Sequence, residues 1–224
     1  MKKAEPNAAD CLPIPGKRPR GRPRCFDRDA ALKAAMDVFW KKGFEGATLA
    51  DLTEAMGINP PSLYAAFGDK EGLFLEAVKR YRQQVAEKCL YAQEPTAHAA
   101  VEKLLTELAS LYTDNEHPRG CLMVMAATTA GASSPRLQEV LAEQRAAARA
   151  SLRARLDRGV KDGELPADTD VAALTNFYAA VISGMSLQAR DGATRKSLMA
   201  TVEAAMRAWP GQVPAKRKRA AAAA

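Results

Sequence analysis

The sequence predicts an all-α protein, and three observations predict it. No run of β-branched residues alternates with period two anywhere along the 224 residues. The stretches between prolines are rich in Ala, Leu, Glu, Lys and Arg, which are strong helix formers. After residue 25, proline occurs only at Pro60–Pro61, Pro95, Pro118, Pro135, Pro166, Pro210 and Pro214. Those are the places where helices start or stop, because proline is excluded from helix interiors but tolerated in a first turn or just past an end.

Three short helices come first. From Asp27 to Lys42, residues Leu32, Ala35, Met36, Phe39 and Trp40 recur at three- and four-residue spacing and make one apolar face, and Gly43 supplies the stop. The second helix begins at Thr48, whose hydroxyl can cap it while Asp51 occupies the acid-favouring first turn. It buries Leu49, Leu52 and Met56 and ends at Gly57. Asn59 is a good cap for the third helix, and Pro60 follows at its first position; Leu63 and Phe67 point to the core. Asp69 caps a long fourth helix that carries Leu73, Phe74, Ala77, Val78 and Tyr81 and runs towards Ala92.

Residues 76–210 read as a larger helical domain, broken near Pro95, His117–Gly120, Ser133–Pro135, Gly163–Pro166 and Gly192. Its last two helices carry apolar stripes. One is Leu174, Phe177, Val181 and Met185; the other is Leu198, Val202, Ala205, Met206 and Trp209. Either stripe can be a dimer surface or intramolecular core. The uncharged run from Val171 to Ala189 holds 19 residues, close to membrane-spanning length. Thr175, Asn176, Ser183, Ser186 and Gln188 within it favour a buried helix.

Charge is unevenly placed. The chain carries a formal +7, yet residues 1–24 alone hold seven basic side chains against Glu5 and Asp10. The 211–224 tail adds Lys216, Arg217, Lys218 and Arg219, which leaves residues 25–214 slightly acidic. Both ends are too rich in Pro, Lys, Arg or Ala to build a core. Within the N-terminal arm, Pro19-Arg20-Gly21-Arg22-Pro23 matches the core of an AT-hook, which lays arginines along a narrow A·T-rich minor groove, and Arg24 follows it as a further DNA-binding candidate. The alternative is a solvated basic tail that adds only non-specific affinity. No apolar leader segment follows the N-terminal charges. Cys11, Cys25, Cys89 and Cys121 are widely spaced without a CxxC pair, which favours reduced thiols and a cytoplasmic protein. With only His98 and His117 there is no ligand-spaced metal cluster and no triad, so neither a metal, a cofactor nor an enzymatic activity is expected.

Two helices joined by Gly57-Ile58-Asn59 form a helix-turn-helix pattern, which presents its second helix to a major groove. By pattern alone, three core helices with a tight turn are an equal alternative. With Leu63 and Phe67 facing the core, the outward positions are Pro61, Ser62, Tyr64 and Ala65. Ser62 suits a base edge or phosphate, Tyr64 a phosphate, and Pro61 and Ala65 a thymine methyl.

The run from Gly43 to Phe74 closely resembles the DNA-binding domain of the TetR family of bacterial transcriptional regulators. Gly43-Phe44, Thr48, Gly57-Ile58, Leu63-Tyr64, Phe67 and Asp69-Lys70-Glu71 stand at the family's spacing. The resemblance implies that residues 25–75 bind DNA. Thr48, Tyr64 and Lys70 would then hold phosphates, and Pro61 and Ser62 would face bases. It further implies a homodimer on double-stranded operator DNA, formed by a four-helix bundle to which Leu174, Val181, Met185, Leu198, Val202 and Met206 contribute. A small-molecule effector would bind between helices of residues 76–210, with Leu108, Tyr112, Cys121, Met125, Phe177 and Tyr178 as candidate lining. Any of these can equally be plain core. Arg119 and a helix start beside Cys121 raise the idea of an electrophile or oxidant sensor, against which a buried inert thiol is the favoured reading. The expected function is a ligand-released repressor. A nucleoid-like architectural binder working through the arm, and a helical enzyme or carrier, are the alternatives.

Overall fold

The structure, a computed structural model, describes residues 26–129 and 135–211, with 127–129 described by backbone alone. Every regular element among them is helical. In chain order these are α1 (Arg28–Gly46), α2 (Leu49–Met56), α3 (Pro60–Phe67) and α4 (Lys70–Lys88), then a 3-10 turn at Tyr91–Gln93. α5 (Ala97–Thr113), α6 (Leu122–Thr129), α7 (Pro135–Lys161), α8 (Val171–Arg190) and α9 (Arg195–Met206) follow. No helix of the described residues is long and apolar enough to cross a membrane.

Side-chain caps set the helix starts. Asp27 accepts from the amides of Asp29 and Ala30, both at 3.0 Å. Thr48 Oγ1 accepts from the Asp51 amide at 3.1 Å while Asp51 returns the bond to the Thr48 amide at 3.0 Å, a reciprocal box. Asn59 accepts from the Ser62 amide at 2.9 Å, and Asp69 from the Gly72 amide at 2.7 Å. Each such cap is worth about 1 kcal/mol. Gly57 turns the chain between α2 and α3 at φ 65°, a conformation a β-carbon would strain.

Two boundaries differ from expectation. Gly43 does interrupt α1, with φ 73° and ψ 173°, but a helical turn resumes and reaches Gly46. α4 ends at Lys88 rather than Ala92. Pro95 requires an extended residue before it, and Glu94 is extended (φ −63°, ψ 143°), so the chain must leave the helix early to turn into α5.

The N-terminal helices close around aromatic rings. Phe74 of α4 meets Phe39 at 5.0 Å and Phe44 at 5.3 Å between centroids, both edge-on, and is fully buried. Trp40 meets Tyr81 edge-on at 4.8 Å and lies flat on His117 at 4.8 Å. Edge-to-face pairs add about 0.5–1.5 kcal/mol each beyond the area they bury. The first turn of α4 comes so near the end of α3 that a β-carbon at position 72 would sit 2.4 Å from the Phe67 carbonyl oxygen. Only glycine fits there, and it fixes the angle between α3 and α4.

In the C-terminal body, α5 packs on α8 and α9, and α7 lies along α8. This arrangement splits the two stripes expected at a dimer surface. Leu198, Val202 and Met206 are turned into the protomer's own core, as are Ala205 and Trp209. Trp209 reaches His98 of α5 at 5.2 Å. The α9 face is consumed in this way by its packing on α5, the heaviest contact that α5 makes with another element among the described residues. On α8, Met185 is likewise fully buried, whereas Leu174 and Val181 are half-buried and Phe177 is 40% exposed. The outward stripe of α8 is therefore Leu174, Phe177 and Val181 without Met185. At the α7–α8 junction the buried Arg155 of α7 donates to Glu164 at 3.3 Å and to the Glu94 carbonyl at 3.4 Å. The same Glu164 carboxylate accepts from the Ala97 amide at the start of α5.

Candidate nucleic-acid interface and ligand cavity

α2 and α3 form the helix-turn-helix, and the structure sorts the residues assigned to DNA contact. Thr48, Pro61 and Ala65 are exposed, and Tyr64 is 46% exposed, the largest aromatic open to solvent on α3. Ser62 is a correction: it is buried, at 7% exposure. The inward stripe of this eight-residue helix is two residues wide, Ser62-Leu63 and Ala66-Phe67 one turn apart, and so takes Ser62 with it. Lys70 is half-buried and holds its ammonium over the Phe44 ring, 4.5 Å from the centroid. It sits in the first turn of α4, beside the end of α3. Arg20, Arg22 and Arg24, together with Cys11, Cys25 and the basic tail, lie outside the described residues.

Arg28 is a positioning residue that sequence reasoning missed. Its guanidinium donates to both oxygens of Glu76 at 2.8 and 2.7 Å and to the Ala66 carbonyl at 3.3 Å, and it lies over the Phe67 ring. It thereby pins the start of α1 to the end of α3 and to α4. A signal was present: a cation in the first turn of a helix opposes the macrodipole and needs a specific partner.

Electrostatics reinforce the α2 cap. The Lys42 ammonium beside Asp51, with the Thr48 amide and hydroxyl, holds the Asp51 carboxyl down at about 2. A carboxyl lowered in the folded state stabilises fully above its ordinary 3.8 and loses that contribution as pH falls towards 2. Acid unfolding of the wild type followed by circular dichroism is therefore expected to show a limb between those values that Asp51→Asn lacks. Superimposable acid limbs would show that this cap carries no linkage.

The body holds a half-open cavity of about 290 Å³ between α4, α5, α6, α7 and α8. Tyr81, Val85 and Cys89 line it from α4, and Leu104, Leu108 and Tyr112 from α5. Cys121, Met123 and Val124 close one end, Arg145, Arg149 and Leu152 of α7 the opposite wall, and Ile182 and Ser183 of α8 the side. Of the residues assigned to an effector site, the structure brings Leu108, Tyr112 and Cys121 together here. The other three lie elsewhere. Met125 is buried on α6, Phe177 faces outward on α8, and Tyr178 points at α9, its hydroxyl donating to the Ala205 carbonyl at 3.5 Å. In α8, residues 177 and 178 lie on the sides away from the cavity, which Ala179, Ile182 and Ser183 face.

Inside the cavity, the Tyr81 hydroxyl donates to Cys121 Sγ at 3.2 Å, and Tyr112 engages the same thiol. Burial pushes both phenols well above their ordinary range, so they remain protonated donors. Burial likewise pushes the Cys89 thiol up to about 11. Arg119, expected as the electropositive neighbour of Cys121, instead donates to the Ala193 carbonyl in the α8–α9 turn. Several contacts connect this region to α1, among them the packing of α6 on α1 and two side-chain contacts. Tyr81 is shared between the cavity wall and Trp40, and Arg190 at the end of α8 donates to the carbonyls of Trp40 and Lys41 at 3.3 and 3.2 Å. No described group of three or more His, Cys, Asp or Glu could hold a metal ion.

Comparison with known proteins gives the same assignment along most of the chain. Residues 31–77 match the family described as bacterial regulatory proteins, tetR family, and residues 97–205 match the tetracyclin repressor-like C-terminal domain. The chain is 38% identical over 197 residues to the HTH-type transcriptional repressor ComR of Escherichia coli K12, covering 87% of this chain and 94% of the relative. It is 32% identical over 184 residues to the repressor BdcR of the same organism, covering 81% and 88%. Among solved structures it is similar to a cysteine mutant of the TetR family regulator CifR complexed with 26-bp operator DNA. That likeness has a TM-score of 0.81 at 50% identity, over 85% of this chain and 100% of that one. The chain belongs to the TetR family of bacterial transcriptional regulators.

Proposed function

We propose that the protein is an effector-responsive repressor which binds a palindromic operator as a homodimer. Residues 25–75 contact DNA, and residues 76–210 bind the effector and dimerise. The observation that carries this reading is Tyr81, one side chain that walls the cavity and packs on Trp40 of α1. A ligand that repositions Tyr81 acts directly on the helix that supports α2 and α3. It then favours a population whose recognition helices are mis-spaced for the two half-sites. The operator complex of the similar CifR structure supports the DNA-bound state.

In that state Thr48, Tyr64 and Lys70 hold phosphates while Pro61 and Ala65 meet base edges. With so few polar donors on α3, Arg20, Arg22 and Arg24 of the arm supply the minor-groove contacts. Arg22→Ala is expected to weaken operator binding and to reduce the slope of log affinity against log salt by about 0.9, read from filter binding across a salt series. An unchanged affinity and slope would retire the arm. Footprinting on the flanking intergenic DNA, with titration against random DNA, tests the function as a whole. A protected palindrome and a specificity ratio of at least about 10³ are expected. A ratio near one would mark an architectural binder instead.

The outward stripe of α8, Leu174, Phe177 and Val181, is the face assigned to the partner protomer. Val181→Arg places an unpaired charge in it and is expected to yield a monomer in sedimentation velocity. The same variant would weaken operator binding by about a hundredfold, because a single half-site contact then replaces two. A variant that remains a dimer would remove this face from the interface.

A further inference from the structure

We propose that the cavity takes an amphipathic anion, a carboxylate on an apolar body, with the charged end on Arg145 and Arg149 of α7. The inference rests on the cavity being the effector site and names the chemistry it selects.

The wall contributes three guanidinium groups, from Arg82, Arg145 and Arg149, and no Asp or Glu. Arg82 and Arg149 are exposed and Arg145 is partly buried, so one sign of charge gathers on the solvent-accessible part of the lining with no carboxylate to offset it. Arg82 already donates to Gln144. Arg145 has no such outlet: its Nη1 is shielded from solvent and has no hydrogen-bond partner. Burial, followed by repulsion from Arg149 one helical turn away, makes its charged form harder to hold. An oxyanion answers both demands at once. It supplies the absent acceptor for Nη1 and the absent negative charge between two guanidiniums, in the forked geometry that suits a carboxylate.

The rest of the space makes the opposite demand. Leu104, Leu108, Val124 and Ile182 present only carbon to it. The polar atoms at that end, Tyr81 and Cys121, already satisfy one another. A ligand that were charged throughout would leave these carbons against a hydrated group, and a wholly apolar ligand would leave Arg145 unmatched. A lining that combines three arginines from α4 and α7 with aliphatic side chains and no carboxylate selects a ligand with one end of each kind.

The test is isothermal titration of the full-length dimer with decanoate and 4-phenylbutyrate, and with decan-1-ol and decylamine as neutral and cationic counterparts. At least one of the two carboxylates is expected to bind at least about tenfold tighter than decanol, with no binding of the amine. Arg145→Gln should lower carboxylate affinity by about tenfold or more and leave decanol binding unchanged, which also reports that the variant cavity is intact. Equal affinity for decanoate and decanol, no binding of either carboxylate, or carboxylate affinity unchanged in Arg145→Gln would each overturn the proposal. Operator release is read separately by gel shift. If a carboxylate binds as expected and operator affinity does not move, the ligand class stands and the effector reading falls.

Discussion

Glu164→Ala is expected to lower the unfolding free energy by about 3–5 kcal/mol, the cost of leaving a buried charge without its partner. The Arg155 side chain is 2% exposed and faces a Glu164 side chain that is 19% exposed, so water cannot take the place of the carboxylate. The loss is compounded because Glu164 also accepts from the Ala97 amide and thus caps α5 from a loop 67 residues away in sequence. In a chain of this length about 10 °C or more in thermal midpoint follows, measured at fixed protein concentration. A double variant in which Arg155 is replaced by Met as well should recover most of that loss, since an apolar side chain of similar length removes the stranded charge. If Glu164→Ala melts like the wild type, or if the double variant is worse than the single, the junction is not held by this pair.

Phe74→Ala is the second large effect. The ring is fully enclosed and edge-on to both Phe39 and Phe44, so truncation removes its buried area, two aromatic contacts and the floor beneath α1. Phenylalanine-to-alanine changes in such sites cost about 3–5 kcal/mol. The damage should show first in DNA binding, because Phe44 also carries the Lys70 ammonium and follows the Gly43 break. Chemical denaturation monitored by Trp40 fluorescence would measure it. Phe74→Leu, which refills most of the volume, is expected to lose less than half as much. Equal losses for Ala and Leu would show that ring geometry, not filled space, is what the site needs.

The all-helical fold and the helix-turn-helix were legible in the sequence because local chemistry specifies them. Thr48 with Asp51, Asn59 before Pro60, and Asp69 three residues before Gly72 each announce a helix start within four residues of chain. Family spacing from Gly43 to Phe74 supplied the rest. The cavity was half legible. Leu108, Tyr112 and Cys121 are apolar or soft residues on helices that any reading would place inside. Arg145 and Arg149 were invisible because they stand in an Ala- and Arg-rich stretch of α7 that reads as a solvated face; Arg149 is indeed exposed, and only the packing of α7 against α8 partly buries Arg145 beside the cavity. The dimer stripe was ambiguous for a related reason. Periodicity shows that Leu198, Val202 and Met206 share one side of α9 but carries no information on whether that side meets its own α5 or a second protomer. Ser62 erred by a single position, since one buried stripe on a two-turn helix can be one residue wide or two.

Among the contacts that hold helix α1 are two polar ones far apart on it, Arg190 on the Trp40 and Lys41 carbonyls near its C-terminus and Arg28 at its first residue, which holds the end of α3. Between Arg28 and Trp40 the helix spans about 18 Å, and a helix is stiff over that length. In the effector reading proposed above, it would act as a beam between the cavity at its Trp40 end and α3 at its Arg28 end. A tilt of about 10° at the Trp40 end carries α3 through about 3 Å, and in a two-fold dimer the separation of the readers changes by up to about 6 Å, half the width of a major groove. On that reading the ligand need not travel or reshape the body to silence the protein. A rotation no larger than a side-chain adjustment, multiplied by the length of one helix, is sufficient gearing.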